Sequence, residues 1–205
     1  ISIIENGVVF LNVAANYLTA QSYTFRITAT DSYNNTSSTS DITIYVTDIT
    51  APVLTSNSLL STITDGETAL GTVSANEPVT WSVNNSDITI SPNNVASPNA
   101  TVTLNVAANY LTTQSYTYTI TATDGNNNTS TVTKTVTVTD GTPPVLNSTN
   151  LVSSINDNQT ALGYVTSNEI VNWSINNTAI SISSRGTTGT VTLKSAANYQ
   201  TTQSY

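Results

Sequence analysis

The chain reads as an all-β protein made of tandem Greek-key β-sandwich repeats of about 90 residues each. Three observations lead there. First, one phrase occurs three times, as Asn16-Tyr17-Leu18-Thr19, Asn109-Tyr110-Leu111-Thr112 and Asn198-Tyr199-Gln200-Thr201, each followed by Gln-Ser-Tyr. Trp81 and Trp173, Glu77 and Glu169, and Asp48 and Asp140 are separated by the same interval, which is the size of a small domain rather than of a solenoid turn. Second, residues 115–124 alternate, with Tyr116, Tyr118, Ile120 and Ala122 on one face and Thr117, Thr119, Thr121 and Thr123 on the other. That is the period-2 signature of a strand with one buried face. Third, Thr and Val are abundant, and no segment shows an apolar period of 3.6 residues with caps; β-branched side chains suit a pleated surface.

The phasing divides the chain into the back half of a repeat (1–48), a complete repeat (49–140) and the front part of a third (141–205). The complete copy predicts seven short strands, near 52–60, 67–75, 79–83, 87–90, 100–106, 115–124 and 129–140, all antiparallel. Trp81 shares parity with Val79 and Val83 on the third of these and is expected at the centre of the core. Tyr116, Tyr118, Ile120, Val136 and Val138 should join it. Residues 23–29 of the first copy repeat the inward pattern with Tyr23, Phe25, Ile27 and Ala29. Gly125-Asn126-Asn127-Asn128 and Ser32-Tyr33-Asn34-Asn35 read as the turns between the last two strands of their copies. Neither flank should bury a full core alone. They are expected of a segment of a longer array, or of halves that complete each other between molecules.

Composition removes several function classes. The 205 residues contain no Cys, Met or His, which excludes disulfides, thiolate chemistry and histidine bases or ligands. With four basic residues and a net charge of −8 there is no basic patch, so neither nucleic acid nor an anionic membrane surface is an expected partner. No long apolar run predicts membrane insertion of this segment. No serine has a histidine to activate it and no close carboxylate pair recurs in a cleft, so the chain is not expected to be an enzyme.

The order Thr64-Asp65-Gly66, Gly71-Thr72-Val73-Ser74-Ala75-Asn76-Glu77, Val79-Thr80-Trp81-Ser82-Val83, Asn109-Tyr110, Ile120-Thr121-Ala122-Thr123-Asp124 and Val136-Thr137-Val138-Thr139-Asp140 with Pro143-Pro144 resembles a cadherin-type repeat. It is similar also to the cadherin-like and bacterial Ig-like repeats of large microbial or phage surface proteins. The resemblance implies an extracellular, cell-surface or virion-surface location and a role as spacer or adhesion module, often stiffened by calcium.

It also implies where calcium would sit. Asp48, Asp140, Asp124, Asp31, Asp65 and Glu77 occupy strand ends and loops matching the junction ligands of such repeats, and Asp140 with Asp124 is the expected pair at the second junction. Two departures weaken the site. Leu18, Leu111 and Gln200 stand where the family carries a ligating Glu, and the acidic linker is reduced to Asp48-Ile49-Thr50-Ala51-Pro52 and Asp140-Gly141-Thr142-Pro143-Pro144. What remains predicts at most one weak calcium ion per junction, and no cofactor is required. The competing reading is that these carboxylates accept backbone hydrogen bonds in Asx turns and strand ends.

The function expected from the residues is a non-catalytic spacer or stalk repeat of a long extracellular or virion-surface fibre or adhesin, with neighbouring repeats or chains as partners. The alternative is a carbohydrate- or protein-binding adhesion module acting by multivalency. Tyr33, Tyr45 and Tyr164 are its aromatic candidates, and none recurs at the equivalent place of another copy.

Overall fold

The computed structural model describes residues 1–5 and 7–205, and it is all-β. Among the described residues no helix is long and apolar enough to cross a membrane.

Residues 1–48 form three two-stranded ribbons. β1 (Ser2–Ile3) pairs with β2 (Val9–Phe10), β3 (Ser22–Phe25) with β6 (Ile42–Tyr45), and β4 (Thr28–Thr30) with β5 (Thr36–Ser38), all antiparallel. Tyr23, Phe25 and Ile27 are only half-buried and Ala29 is exposed. Two strands offer one face and nothing to lay it on, so no core forms here. The one buried residue of this segment, among those described, is Asp48.

From residue 54 to 139 the strands are β7 (Leu54–Thr55), β8 (Thr62–Thr64), β9 (Ala69–Val83), β10 (Ile88–Ser91), β11 (Ser97–Leu104), β12 (Ser115–Thr123) and β13 (Thr129–Thr139). They make two faces that share β9. Its first half pairs with β7 and β11, and β11 pairs with β10. Its second half pairs with β12, and β12 with β13. The expected second and third strands are therefore one continuous, bent strand, because the backbone passes from one sheet to the other without a turn. The expected first strand is instead broken: β7 stays on β9, while β8 crosses over and pairs with β13 in parallel. That pairing corrects the all-antiparallel expectation. Splitting the first strand lets it close an edge of both sheets.

Between these faces lie Ile63, Leu70, Val73, Val79, Trp81, Val102, Tyr118, Ile120, Val136 and Val138, each at most 2 % exposed. Trp81 Nε1 donates to the Ser97 carbonyl at 2.9 Å, which satisfies the one polar atom of the ring. Tyr116, expected in the core, is half-buried instead, since it stands near the start of β12 where the sandwich opens. Leu70 and Val73 both point inward although they differ in parity. A bulge reconciles them: Thr103 faces Ala69 and Val102 faces Gly71, so Leu70 is the extra residue. Gly71 adopts φ +108° there, and a Cβ on it would lie 2.1 Å from the Ser58 carbonyl oxygen. Only glycine fits that approach.

In the remaining segment β14 (Leu146–Leu151), β15 (Ala161–Ser167), β16 (Ile180–Arg185) and β17 (Thr188–Leu193) form a single antiparallel sheet in the order β14-β15-β17-β16. The bulge recurs around Leu162, with Gly163 at φ +110° against the Asn150 carbonyl. No strand covers residues 168–179, and Trp173 is half-buried over Gly189, whose Cβ would lie 2.9 Å from the indole.

Candidate functional site

Asp48, Glu77 and Asp124 converge at the end of the 54–139 sandwich where β9 bends and β12 stops. A carboxylate oxygen from each lies within 4.8 Å of the others, and the three are 5 %, 7 % and 6 % exposed. They are the only such acidic group among the described residues. Each arrives by a different route. Asp48 lies in the connecting strand-free stretch after β6. Glu77 lies on β9 with the same parity as Val73, Val79 and Trp81, so the strand itself aims it inward. Asp124 ends β12 and opens the turn to β13.

The Asp124 turn is built by its own carboxylate. Oδ1 accepts from the N–H groups of Asn126 and Asn128, both at 2.8 Å, and Oδ2 accepts from Asn128 Nδ2 at 2.8 Å. Asn127 takes φ 68°, which asparagine tolerates. The same amide of Asn128 donates to the Asp48 carbonyl at 3.3 Å and so ties the linker to this turn. Asp48 caps its own linker, with Oδ1 accepting from Thr50 N–H at 3.1 Å and Thr50 Oγ1 at 2.8 Å. Glu77 lacks such support. Its Oε1 is buried with no hydrogen-bond partner.

Charge follows from this geometry. Burial pushes the Glu77 carboxyl above its ordinary value, and the charges of Asp48 and Asp124 push it further. Burial pushes Asp124 upward too, but hydrogen bonds from the Asn128 side chain, the Asn128 N–H and the Asn126 N–H outweigh it, and the carboxyl titrates below its ordinary value. No basic side chain answers these charges; the one ion pair among the described residues joins Arg26 to Asp41. At 4–5 Å, each ionised pair costs on the order of 3–4 kcal/mol at an effective dielectric of about 20. An unpartnered buried oxygen costs about 1–3 kcal/mol more. A hard divalent cation, which takes carboxylate and carbonyl oxygens, would relieve both. The donor set fits one: three carboxylates from three segments, one oxygen of them orphaned.

The other candidates do not join this group. Asp31 is exposed and builds, with Asn35 and Tyr33 N–H, the same turn that Asp124 builds. Its carboxyl is held below the ordinary value chiefly by the Asn35 side chain. Asp65 N–H donates to the Thr139 carbonyl at 3.1 Å, beyond the opposite end of β13. Asp140 is exposed and accepts from Thr142 N–H at 3.1 Å. The expected pairing of Asp124 with Asp140 is corrected here. Asp124 precedes the start of β13 and Asp140 follows its end, and an 11-residue strand carries the chain roughly 35 Å. The residue missed from sequence is Asn128, whose signal was the spacing Asp31…Asn35 repeated as Asp124…Asn128.

No family model matches the chain, and no curated protein matches it. Solved structures do. The chain is similar to the protocadherin gamma B4 extracellular domain (TM-score 0.55, 16 % identity, covering 98 % of this chain and 36 % of that one). It is similar to human CDH23 EC21-23 (TM-score 0.52, 15 % identity, 88 % and 66 %). It is similar also to a protocadherin gamma B7 EC3-6 cis-dimer (TM-score 0.51, 20 % identity, 92 % and 53 %). The chain thus spans between about a third and two thirds of the structures it resembles. At these identities the likeness is one of fold: the fold is cadherin-like.

Proposed function

We propose that this chain is a non-catalytic repeat segment of a long extracellular fibre or adhesin, and that Asp48, Glu77 and Asp124 hold one weakly bound calcium ion where residues 1–48 run into the next sandwich. The observation that carries the reading is the buried trio with its orphaned Glu77 oxygen. Bound there, calcium supplies no reaction; it neutralises charge and fixes the linker. Asp48 brings the linker, Asp124 the turn after β12, and Glu77 the body of the sandwich, so one ion adds a common tie to three segments already joined by the Asn128 amide, by the hydrogen bonds between Val53 and Asn76 and by the pairing of β12 with β9. With few protein oxygens and Leu18 and Leu111 in place of a ligating Glu, affinity should fall in the range of about 10⁻⁴–10⁻³ M seen in extracellular modules. The proline-containing linker limits bending further.

Calcium titration followed by thermal unfolding of the full chain tests this. An ion bound only by the folded form stabilises by RT ln(1 + [L]/Kd), or about 1.4 kcal/mol at ten times Kd. The melting temperature should rise through the millimolar range in wild type and stay flat in Asp48→Asn and Glu77→Gln. A flat titration in wild type would leave Asx turns and strand-end caps as the whole role of Asp48 and Asp124.

A further inference from the structure

We propose that Asn128 is the positioning residue of the acidic trio: its amide sets which carboxylate oxygens face the ion, and so how tightly the ion is held. The inference rests on the calcium reading above and adds to it a residue that acts through the ligands. Hydrogen-bond capacity leads to it. An ionised carboxylate has about four lone-pair sites. Asp124 spends three of them, since Oδ1 accepts from the Asn126 and Asn128 N–H groups and Oδ2 accepts from Asn128 Nδ2. Its remaining site is therefore on Oδ2, the oxygen that the Asn128 amide holds. Asp48 spends Oδ1 on the N–H and the hydroxyl of Thr50, which leaves Oδ2. Glu77 brings Oε1, buried and without a partner. The oxygens left for a cation thus include Asp48 Oδ2, Glu77 Oε1 and Asp124 Oδ2, one from each of three segments.

Asn128 reaches two of those segments at once. Its bonds to Asp124 are local, and Asn35 repeats them to Asp31 at 2.8 Å and 2.9 Å. Its bond to the Asp48 carbonyl is long-range, spanning 80 residues at 3.3 Å. An amide nitrogen carries two hydrogens, and here one goes to each acidic residue. The planar amide thereby holds the Asp124 carboxylate and the Asp48 backbone at a set spacing before any ion arrives. A cation entering there has little chain left to order. Groups that orient metal ligands in this way are worth about 10–100-fold in affinity.

Amide chemical shifts of Thr50 and Asn126, followed as calcium chloride is added to the full chain at constant ionic strength, test this in wild type and two variants. Asn128→Ala keeps both N–H bonds to Asp124 Oδ1 and removes only the side-chain bonds, so the turn stays closed. Asn84→Ala is the structural control: Asn84 Oδ1 accepts from the Thr119 N–H at 2.7 Å and makes no bond to the trio. Both variants should melt below wild type in chelator. Only Asn128→Ala should bind calcium more weakly, its dissociation constant rising about 10–100-fold. An unchanged constant in Asn128→Ala, with wild type saturating, overturns the positioning role and leaves the calcium reading intact. Equal weakening in Asn84→Ala overturns it as well, because general loosening of the sandwich would then account for the effect. Wild-type shifts that do not respond to calcium would sink the calcium reading and this inference with it.

Discussion

Glu77 is the residue at which packing and charge disagree. Its strand aims it inward beside Val79 and Trp81, two other carboxylates approach it, and nothing donates to its Oε1. Its raised value has a definite consequence. Below the ordinary glutamate value of 4.5 the group is protonated in both states and contributes nothing. As pH climbs past 4.5, the unfolded chain releases its proton first, the folded state binds more protons than the unfolded, and stability falls until the folded value is passed. Asp124 has the opposite sign: its hydrogen bonds stabilise the fold above the ordinary aspartate value of 3.8 and are lost as pH drops through its folded value. Without calcium, Glu77→Gln should therefore raise the melting temperature at neutral pH and abolish the decline above pH 4.5, leaving the acid limb set by Asp124. Thermal melts from pH 3 to 8 in chelator read this out; a variant less stable than wild type at neutral pH would mean that the ionised carboxylate is stabilised by something other than a cation. The acidic trio was half legible in sequence. Asp48 and Asp124 are visible as strand-end carboxylates and Glu77 as a candidate whose parity with Val79 and Trp81 turns it inward, but the convergence of the three depends on long-range packing, which no local pattern encodes.

At the level of elements, the alternation of β12 and β13 could be read residue by residue, because one face is buried along nearly the whole length and the period stays at 2. β9 could not be read so simply. Its parity flips at the bulge, and its passage between sheets carries no turn residues to mark it. β8 was illegible for a related reason: three residues, Thr62-Ile63-Thr64, are too few for a period, and their parallel partner is 75 residues away. The glycine at the bulge is nonetheless a sharp local requirement. At Gly71 a methyl group meets both an unfavourable φ and the Ser58 carbonyl at 2.1 Å, so Gly71→Ala must move β9 or the turn that carries Ser58. Gly66, at φ +86°, has open space around it and presents the conformational cost alone. Gly66→Ala should cost about 1 kcal/mol and Gly71→Ala clearly more, roughly 2–4 kcal/mol. Urea unfolding of the full chain compares them; equal costs would show that the close approach relaxes freely.

For the molecule as a whole, stability is distributed as unevenly as burial. Between residues 54 and 139 two sheets enclose a shared core, whereas residues 1–48 bury a single residue among those described, and that residue is an aspartate held at the edge of the next sandwich. Opening 1–48 exposes little apolar surface, so its free energy of opening must be small, while amides of β9, β12 and β13 are released only when the sandwich itself unfolds. Unfolding of the whole chain is then not two-state. Hydrogen exchange should show rapid exchange throughout β3 to β6 and slow exchange in β9, β12 and β13. Thr50 should be intermediate, since its N–H is held by Asp48, the point at which the two segments are tied. Calcium should slow Thr50, Asn126 and Asn128, whose N–H groups are bound by the carboxylates of the trio, without protecting β3 or β6. Protection of β3 and β6 equal to that of β12 would mean that residues 1–48 close a core of their own, and the division into half and whole sandwiches would fail.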